Sequence, residues 1–242
     1  MPRAGAEPGM SGILFIISAP SGSGKTTLVD ALRQFVPNLD FSISYTTRAP
    51  RGSEQDGREY HFISRSRFEE MIRRGQFLEY ADVFGNYYGT ANSVLHDAER
   101  RGNDLLLDID VQGERQVKAN TPEAVSIFVL PPSRAELESR LRKRSRSENV
   151  VSEEVIERRL AAARKEIENY PNYDYILIND RLEQSVDELQ AIVLGERLKR
   201  SGKPLSPQEK QYLETAQKCL KPRMEEKIRS ILASFPMPPP PK

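Results

Sequence analysis

The chain has 242 residues, with 36 Lys and Arg against 35 Asp and Glu, so its formal net charge is +1. A balance this close to neutral argues against a nucleic acid polymer or a membrane surface as the main partner. The single cysteine, Cys219, excludes an intrachain disulfide framework and a zinc site built from cysteines, and no apolar run approaches the ~20 residues of a membrane span.

Residues 1–11 lack the apolar stretch of a secretory signal. We predict a disordered N-terminus there and a cytoplasmic protein. The choice between Met1 and Met10 as the start of translation stays open.

Apolar runs of strand length recur along the chain, with helical patterns between them. They lie at 13–17, 105–109, 125–130 and 175–178. An unbroken apolar run is typical of a strand buried on both faces. Such strands alternating with helices predict βαβ units, and hence an α/β fold with a mainly parallel sheet.

Helix boundaries are predicted from capping signals. The S-x-x-E spacing of a capping box starts at Ser66, Ser133, Ser185 and Ser206. Glycines that end helices are predicted at Gly75 and Gly102. Ser152 is predicted to open a helix with an apolar face made by Ile156, Leu160, Ala163 and Ile167.

Two regions break the βαβ rhythm. The stretch at about 41–92 is rich in Tyr, Arg and Gly, and its alternating pieces at 41–45 and 59–63 predict antiparallel strands in a small mixed α/β insertion. From about Gly195 two short amphipathic helices are predicted, separated at Pro222, before a proline-rich disordered end. This C-terminal extension, 195–242, is predicted to pack on the rest of the chain or to mediate self-association, so monomer and homo-oligomer both stay open.

The most informative motif is the phosphate loop, Ala19-Pro-Ser-Gly-Ser-Gly-Lys-Thr26. It fits G-x-x-x-x-G-K-[ST] except that Ala19 replaces the first glycine, and it stands between a predicted strand and a predicted helix. Backbone N–H groups and the helix N-terminus at such a turn cradle a polyphosphate, Lys25 reaches the β and γ oxygens, and the Thr26 hydroxyl binds Mg²⁺. The motif therefore predicts use of a nucleoside triphosphate such as ATP, the alternative being a plain Gly/Ser turn. The predicted binding residues are Ala19, Pro20, Ser21, Gly22, Ser23, Gly24, Lys25, Thr26 and Thr27.

Asp108, at the end of a predicted strand, is a candidate second magnesium ligand acting through water. The alternative is a strand-end carboxylate that caps the next turn.

The insertion carries candidates for a second phosphate site. Arg48 and Arg51 lie three residues apart after a predicted strand, a spacing suited to holding a phosphate bidentately. Glu79 stands among apolar residues, where a ligand that donates hydrogen bonds would satisfy its carboxylate. The two histidines, His61 and His96, are predicted to be structural.

These motifs together resemble the guanylate kinase family, nucleoside monophosphate kinases that phosphorylate GMP with ATP. The resemblance covers about Gly12 to Leu194. It is carried by the phosphate loop, Thr-Thr-Arg48-Ala-Pro-Arg51, Gly-Asn-Tyr-Tyr88-Gly, Leu-Asp108-Ile-Asp110-Val-Gln-Gly113 and Ile-Asn179-Asp.

The resemblance implies roles for individual residues. Residues matching Arg48, Arg51, Tyr60 and Tyr88 hold the GMP phosphate. Those around the guanine match Ser44, Glu79, Thr90 and Asp110. A lid at about 138–160 supplies the arginines matching Arg140, Arg144 and Arg159, and Asn179 is expected at the adenine of ATP.

This sequence departs from the family around Arg144, which is flanked by Lys143 and Ser145 rather than by glycines, and the following loop carries extra residues. The roles of Arg142 and Arg146 therefore stay open. We predict a kinase-like domain at 12–194 that converts GMP or dGMP to the diphosphate in purine nucleotide metabolism. Two alternatives are a non-catalytic binding module for phosphopeptides, against which the intact phosphate loop counts, and a P-loop kinase for another phosphorylated acceptor.

Overall fold

The computed structural model of the protein describes residues 12–83, 85–147 and 152–235. The predictions for 1–11, for the end of the lid loop and for the proline-rich end lie outside the described residues. Within the described residues no helix is both long enough and apolar enough to cross a membrane.

The strands form two sheets. The nine strands in the described ranges are β1 (Leu14–Ser18), β2 (Leu39–Phe41), β3 (Tyr45–Thr46), β4 (His61–Phe62), β5 (Phe77–Val83), β6 (Asn86–Ala91), β7 (Asp104–Asp108), β8 (Val125–Leu130) and β9 (Tyr175–Ile178). The larger sheet has the order β2-β7-β1-β8-β9, and the smaller has the order β4-β3-β6-β5. The pairings of β2 with β7 and of β8 with β9 are parallel, which confirms the predicted α/β class.

The helices occupy the segments between these strands and the C-terminal region. Those within the described ranges are α1 (Lys25–Phe35), α2 (Arg65–Arg73), α3 (Asn92–Arg101), α4 (Val111–Asn120), α5 (Arg134–Ser147), α6 (Glu153–Ile167), α7 (Leu182–Ser201), α8 (Pro207–Lys218) and α9 (Lys221–Ala233), with a short 3-10 turn at Tyr170–Asn172.

The described residues fall into two compact units. The first consists of 12–16 and 37–125, and the second of 17–36 and 126–235. In the first unit, the apolar core takes in Leu14, Ile16, Leu105 and Leu107 of the predicted strands. In the second, Ile127 is in register with Tyr175, and the Phe128 ring stacks on Tyr173 with centroids 4.5 Å apart.

The capping predictions have mixed outcomes. At Ser206 both halves of the capping box form, with Pro207 as the first helical residue. Ser133 accepts a hydrogen bond from the Glu136 N–H at the start of α5. The Ser66 prediction is wrong, since Ser64 caps α2 and accepts from the Arg67 N–H. Ser185 is wrong as well, because α7 begins at Leu182 and buries Ser185 inside its second turn.

The remaining helix boundaries agree with the sequence. Gly75 and Gly102 take positive φ where α2 and α3 end. Ser152 precedes α6, whose four predicted apolar residues are all buried.

The insertion differs from the prediction in its pairing. Phe41 belongs to the larger sheet, in register with Leu106, and β3 pairs parallel to β4 but antiparallel to β6. The alternation of short strands in the sequence carries no information on strand direction, so the purely antiparallel expectation was wrong for β4. The smaller sheet is mixed.

Candidate active site

The phosphate loop joins β1 to α1 in the second unit. Gly22 and Gly24 have φ values of 93° and 87°, and Gly24 is the N-cap of α1. A side chain at either position would be strained. Ala19 departs from the motif without strain, since the only non-glycine residue with positive φ in the described ranges is Asn38.

The N-terminus of α1 is suited to an anion. The helix starts at Lys25, and its first turn has neither an acidic residue nor a side-chain cap. The helix dipole and the backbone N–H groups of this turn therefore favour a negatively charged ligand. Thr26 and Thr27 follow on α1 with exposed side chains.

Two side chains hold the loop from the same unit. Asn179 is 5% exposed, and its Nδ2 donates to the Ser23 carbonyl at 2.8 Å. Arg140 on α5 donates from Nη2 to the Asn179 carbonyl at 2.9 Å and from Nη1 to the Ser23 carbonyl at 3.4 Å. A Cβ at Gly24 would overlap Asn179 Nδ2, so glycine is needed here for packing as well as for φ. Asn179 thus supports the loop, and its contact with adenine stays a prediction.

The other lid arginines lie farther along α5 and on α6. Arg159 Nη1 donates to Ser145 Oγ at 3.4 Å, linking α6 to α5, and Arg144 is exposed in the last turns of α5. Arg142 donates to Glu138 and to both carboxylate oxygens of Glu153, at 2.6 and 2.7 Å. The hydrogen bonds that Arg142 donates to Glu153 and Glu138 raise the pKa of Arg142, and those to Glu153 lower the pKa of Glu153. Arg142, whose role the sequence left open, therefore ties α5 to α6.

The predicted phosphate-binding residues of the insertion come together in the first unit. Arg48 Nε donates to the Tyr88 hydroxyl at 3.1 Å, and the Arg48 guanidinium lies 5.4 Å from the centre of the Tyr60 ring. The Tyr60 and Tyr88 rings meet edge to face, with centroids 5.7 Å apart. Arg51 is exposed at the start of the following turn. The arrangement gathers two cations and two phenols, which are suitable donors to a phosphate.

Glu54 is a member of this cluster that the sequence analysis missed. Its carboxylate accepts from Arg48 Nη1 and Nη2 at 2.9 and 3.0 Å, and from the Arg51 N–H at 2.8 Å. Burial alone would raise the pKa of Glu54, but the hydrogen bonds from Arg48 and Arg51 outweigh it and lower that pKa. The available signal was the recurrence of Arg48, Arg51 and Glu54 at intervals of three residues.

The predicted base-binding residues form a second cluster in the same unit. Ser44 Oγ and Thr90 Oγ1 lie 3.3 Å apart, and Thr90 is in register with Glu79 across β6 and β5. Glu79 is 4% exposed. The register shifts between Phe77 and Glu79, a local bulge of the kind that re-aims a side chain.

The first turn of helix α4 lies against the Glu79 carboxylate. A Cβ at Gly113 would overlap Glu79 Oε2, so only glycine allows the carboxylate to lie against the first turn of α4. Asp110 caps this helix, and its Oδ1 accepts from the N–H groups of Gln112 and Gly113. Gln116 exchanges two hydrogen bonds with the Tyr80 backbone and thereby fixes α4 to β5.

The remaining polar candidates lie outside these clusters or at their edges. The His61 ring packs on Tyr45 with centroids 4.6 Å apart, and His96 is 69% exposed on α3. Cys219 is buried, and burial raises the pKa of its thiol to about 12. Asp108 is half-buried at the end of β7.

Comparison with known proteins gives consistent matches. A sequence model of the guanylate kinase family matches residues 11–196. A guanylate kinase of Koribacter versatilis is 57% identical over 226 residues, which cover 93% of this chain and 97% of the relative. A guanylate kinase of Nitrosospira multiformis is 52% identical over 188 residues, covering 78% of this chain and 88% of the relative. The crystal structure of guanylate kinase from Anaplasma phagocytophilum matches with a TM-score of 0.63 and 32% identity, covering 78% of this chain and 87% of that chain.

A glycine-rich turn between a buried strand and a helix that begins with lysine defines a P-loop nucleotide-binding protein. The cluster of Arg48, Tyr60 and Tyr88 and the buried Glu79 are candidates for a second site. With the family match over most of its length, the chain belongs to the guanylate kinase family. The resemblance drawn from the motifs is confirmed.

Proposed function

We infer that this protein is a guanylate kinase, an enzyme that transfers the γ-phosphoryl group of ATP to GMP and gives ADP and GDP. The observation that carries the inference is that the chain has both a phosphate loop and, in its other unit, a buried carboxylate, Glu79, beside residues suited to binding a nucleotide. A phosphate loop alone would suit any nucleoside triphosphatase. The buried Glu79, with Ser44 and Thr90 beside it, favours guanine as the base of the acceptor nucleotide.

The ATP side works by positioning and charge neutralisation. Phosphoryl transfer needs little proton transfer by side chains, so the main task is to hold the phosphates and stabilise the charge that develops on the transferring group. We propose that the N-terminus of α1 and Lys25 bind the phosphates of ATP. Arg140, Arg144 and Arg159 are proposed to stabilise the negative charge on the transferring group.

The GMP side recognises both ends of the nucleotide. Arg51 and the Arg48–Tyr60–Tyr88 cluster offer the phosphate cationic and phenolic donors. Guanine presents N1–H and N2–H₂ as adjacent donors, and the buried Glu79 carboxylate can accept from both. Adenine lacks that pair and presents an acceptor, its N1, to the Glu79 carboxylate, which is the kind of mismatch that polar sites reject by up to about 10⁴–10⁵. Ser44, Thr90 and Asp110 complete the proposed guanine surroundings.

Magnesium is proposed to arrive with ATP. Across the part of the chain that the structure describes, no group of three or more His, Cys, Asp or Glu side chains could hold a metal ion. This fits Mg²⁺, which keeps several waters and binds through one or two protein groups together with substrate phosphates. Thr26 and, through water, Asp108 are the residues that would hold it. The ion would supply neutralisation of charge on the ATP phosphates.

We further propose that dGMP serves as an alternative acceptor, that the enzyme acts in purine nucleotide metabolism and GMP recycling, and that it works in the cytoplasm. Its partners are then small nucleotides, with neither a nucleic acid polymer nor a membrane among them.

Turnover with a panel of acceptors tests this function. Purified protein with Mg·ATP is given GMP, dGMP, AMP, dCMP or UMP in parallel, and nucleoside diphosphate formation is measured. We expect efficient use of GMP and dGMP only. Efficient use of AMP without GMP would overturn the guanine assignment, and ATP hydrolysis without any diphosphate product from the acceptors would overturn the kinase assignment.

A further inference from the structure

Within the second unit, the C-terminal extension packs against α7 through α8. A Cβ at Gly195 on α7 would lie 3.3 Å from Ala216 Cβ and 3.5 Å from Leu213 Cδ2 of α8, so glycine allows close approach of the two helices. Ala216 is 1% exposed. The extension is therefore packed against the rest of its unit. The alignment with the relative from Koribacter covers 93% of this chain, so it continues beyond residue 196, where the match to the family model ends.

The link between α8 and α9 pairs with the end strand of the larger sheet. The Ile176 N–H donates to the Cys219 carbonyl at 2.8 Å, and the Lys221 N–H donates to the Asp174 carbonyl at 3.1 Å. Leu220 forms an antiparallel bridge with Tyr175. The outer edge of an end strand presents backbone N–H and C=O groups that no other strand pairs, and these bonds satisfy some of them. They also fix the position at which α9 begins.

The far end of α9 reaches the helices that carry the lid arginines. Phe235 is 4% exposed, and its carbonyl accepts from Arg164 Nη1 of α6 at 3.3 Å. Ser234 Oγ accepts from the Arg134 N–H, the first residue of α5, at 3.0 Å and donates to the Ile231 carbonyl at 2.6 Å. These two bonds orient the hydroxyl towards α5.

Ser234 thus adds to the cap of α5 from a position 100 residues away. Ser133 satisfies the N–H of Glu136 in this first turn, and Ser234 satisfies that of Arg134. The first four N–H groups of a helix have no partner within it, so each such bond stabilises the start of the helix and fixes its position.

Helix α5 contacts the phosphate loop directly, so its position affects that of the loop. Arg140 lies six residues after Arg134, about 9 Å along the helix axis, and holds the carbonyls of Ser23 and Asn179. Leu137 and Leu141 lie so close to Gly22 that a Cβ there would be 3.0 Å from each. A displacement of the α5 N-terminus would therefore shift both Arg140 and the loop.

We propose that Ser234 is a positioning residue of the ATP site, through which the C-terminal extension sets α5 and Arg140 against the phosphate loop. This rests on the proposed function only in that the site binds ATP. It assigns the extension a part in catalysis rather than in folding alone.

The test compares Ser234→Ala, which removes the acceptor, with Ser234→Thr, which keeps it, in the full chain. Ser230→Ala is the matched control, since Ser230 is exposed on the same helix. We expect Ser234→Ala to raise KM for ATP about threefold to tenfold with KM for GMP within twofold, and Ser234→Thr and Ser230→Ala to behave as the unaltered protein. In an Arg140→Ala background, the further effect of Ser234→Ala should shrink, because Arg140 is one of the two contacts through which α5 acts on the loop.

A second variant ends the chain at Ala233 and so removes the contacts of both Ser234 and Phe235. It should raise KM for ATP at least as far as Ser234→Ala does. An unchanged KM for ATP in both variants would overturn the proposal. So would a rise in KM for ATP on Ser234→Ala that is equally large in the presence and absence of Arg140. If the unaltered protein made no GDP, the proposed function would fall, and calorimetric ATP affinities of the same variants would still decide this inference.

Discussion

The carboxylate of Glu54 fills the fork of the Arg48 guanidinium, with two hydrogen bonds of 2.9 and 3.0 Å. Arg48 also donates from Nε to Tyr88 and from Nη1 to the Ala49 carbonyl, so four of its five N–H groups are engaged. The guanidinium is thereby held rigid beside the predicted phosphate site, and Arg51 on the same turn presents the exposed cation.

Glu54→Gln is expected to raise KM for GMP about threefold to tenfold and to leave KM for ATP unchanged. The amide would put an NH₂ group against one Arg48 donor, and charge-assisted bonds are roughly twice as strong as neutral ones. Steady-state kinetics measures the effect, with Glu69→Gln, an exposed carboxylate on α2, as the control. An unchanged or lower KM for GMP would show that Glu54 does not orient Arg48.

The same pair predicts a pH dependence of stability. The pKa of Glu54 lies below its ordinary value of 4.5 in the folded protein, so the Arg48–Glu54 pair stabilises the fold above that value. The contribution is lost as the pH falls through the lowered, folded-state pKa. Thermal unfolding should show a constant difference in Tm between the unaltered protein and Glu54→Gln from pH 8 to about 5, and a shrinking difference below. A difference that grew on acidification would have the wrong sign for this pairing.

Glu79→Gln should reduce discrimination between bases. The amide can accept one guanine hydrogen bond but not two, so kcat/KM for GMP should fall by about 10²–10⁴ while use of AMP changes little. Asp82→Asn, on an exposed position of the same strand, is the control. An unchanged ratio of kcat/KM for GMP to kcat/KM for AMP would place base recognition elsewhere.

Gly113→Ala should displace the Glu79 carboxylate, because the new Cβ would overlap Oε2. We expect a higher KM for GMP and a lower Tm, with KM for ATP unchanged. Combining it with Glu79→Asp shortens the side chain and should recover most of the Tm. If Gly113→Ala alone left both quantities unaltered, the close contact between α4 and β5 would be wrong.

The reactivity of Cys219 measures how firmly the C-terminal extension is packed. Burial raises the pKa of its thiol to about 12, so at pH 8 a thiol reagent should react only when the extension opens. Labelling should be more than about a hundredfold slower than in denaturant. Gly195→Val should accelerate it by pushing α8 away from α7, whereas Asp187→Val, on an exposed position of α7, should not. Rapid labelling of the unaltered protein would contradict the packing.

The sequence was sufficient where structure is determined locally. The phosphate loop could be predicted because its glycines, lysine and threonine act within one turn, and the buried strands could be predicted from unbroken apolar runs. It was not sufficient where two possible caps lie side by side, as with Ser64 and Ser66. Only Ser66 fits the S-x-x-E spacing, yet either hydroxyl can cap a helix, and Ser64 is the cap that the structure uses.

Long-range contacts of the site were beyond the sequence. Neither the approach of Gly113 to Glu79 nor the cap that Ser234 gives to α5 has a local signature, because both depend on where distant elements pack. The motif resemblance supplied the site residues in such cases, but it gave no account of Glu54 or of the extension.

The most direct test of the account follows the transferred group itself. ATP labelled in its γ-phosphoryl group is incubated with GMP and the unaltered protein or Lys25→Ala, and the products are separated. We predict that the label appears in GDP with the unaltered protein and that Lys25→Ala, with an unchanged Tm, transfers it at least about 10²-fold more slowly. Label found only in inorganic phosphate, or undiminished transfer by Lys25→Ala, would contradict the account.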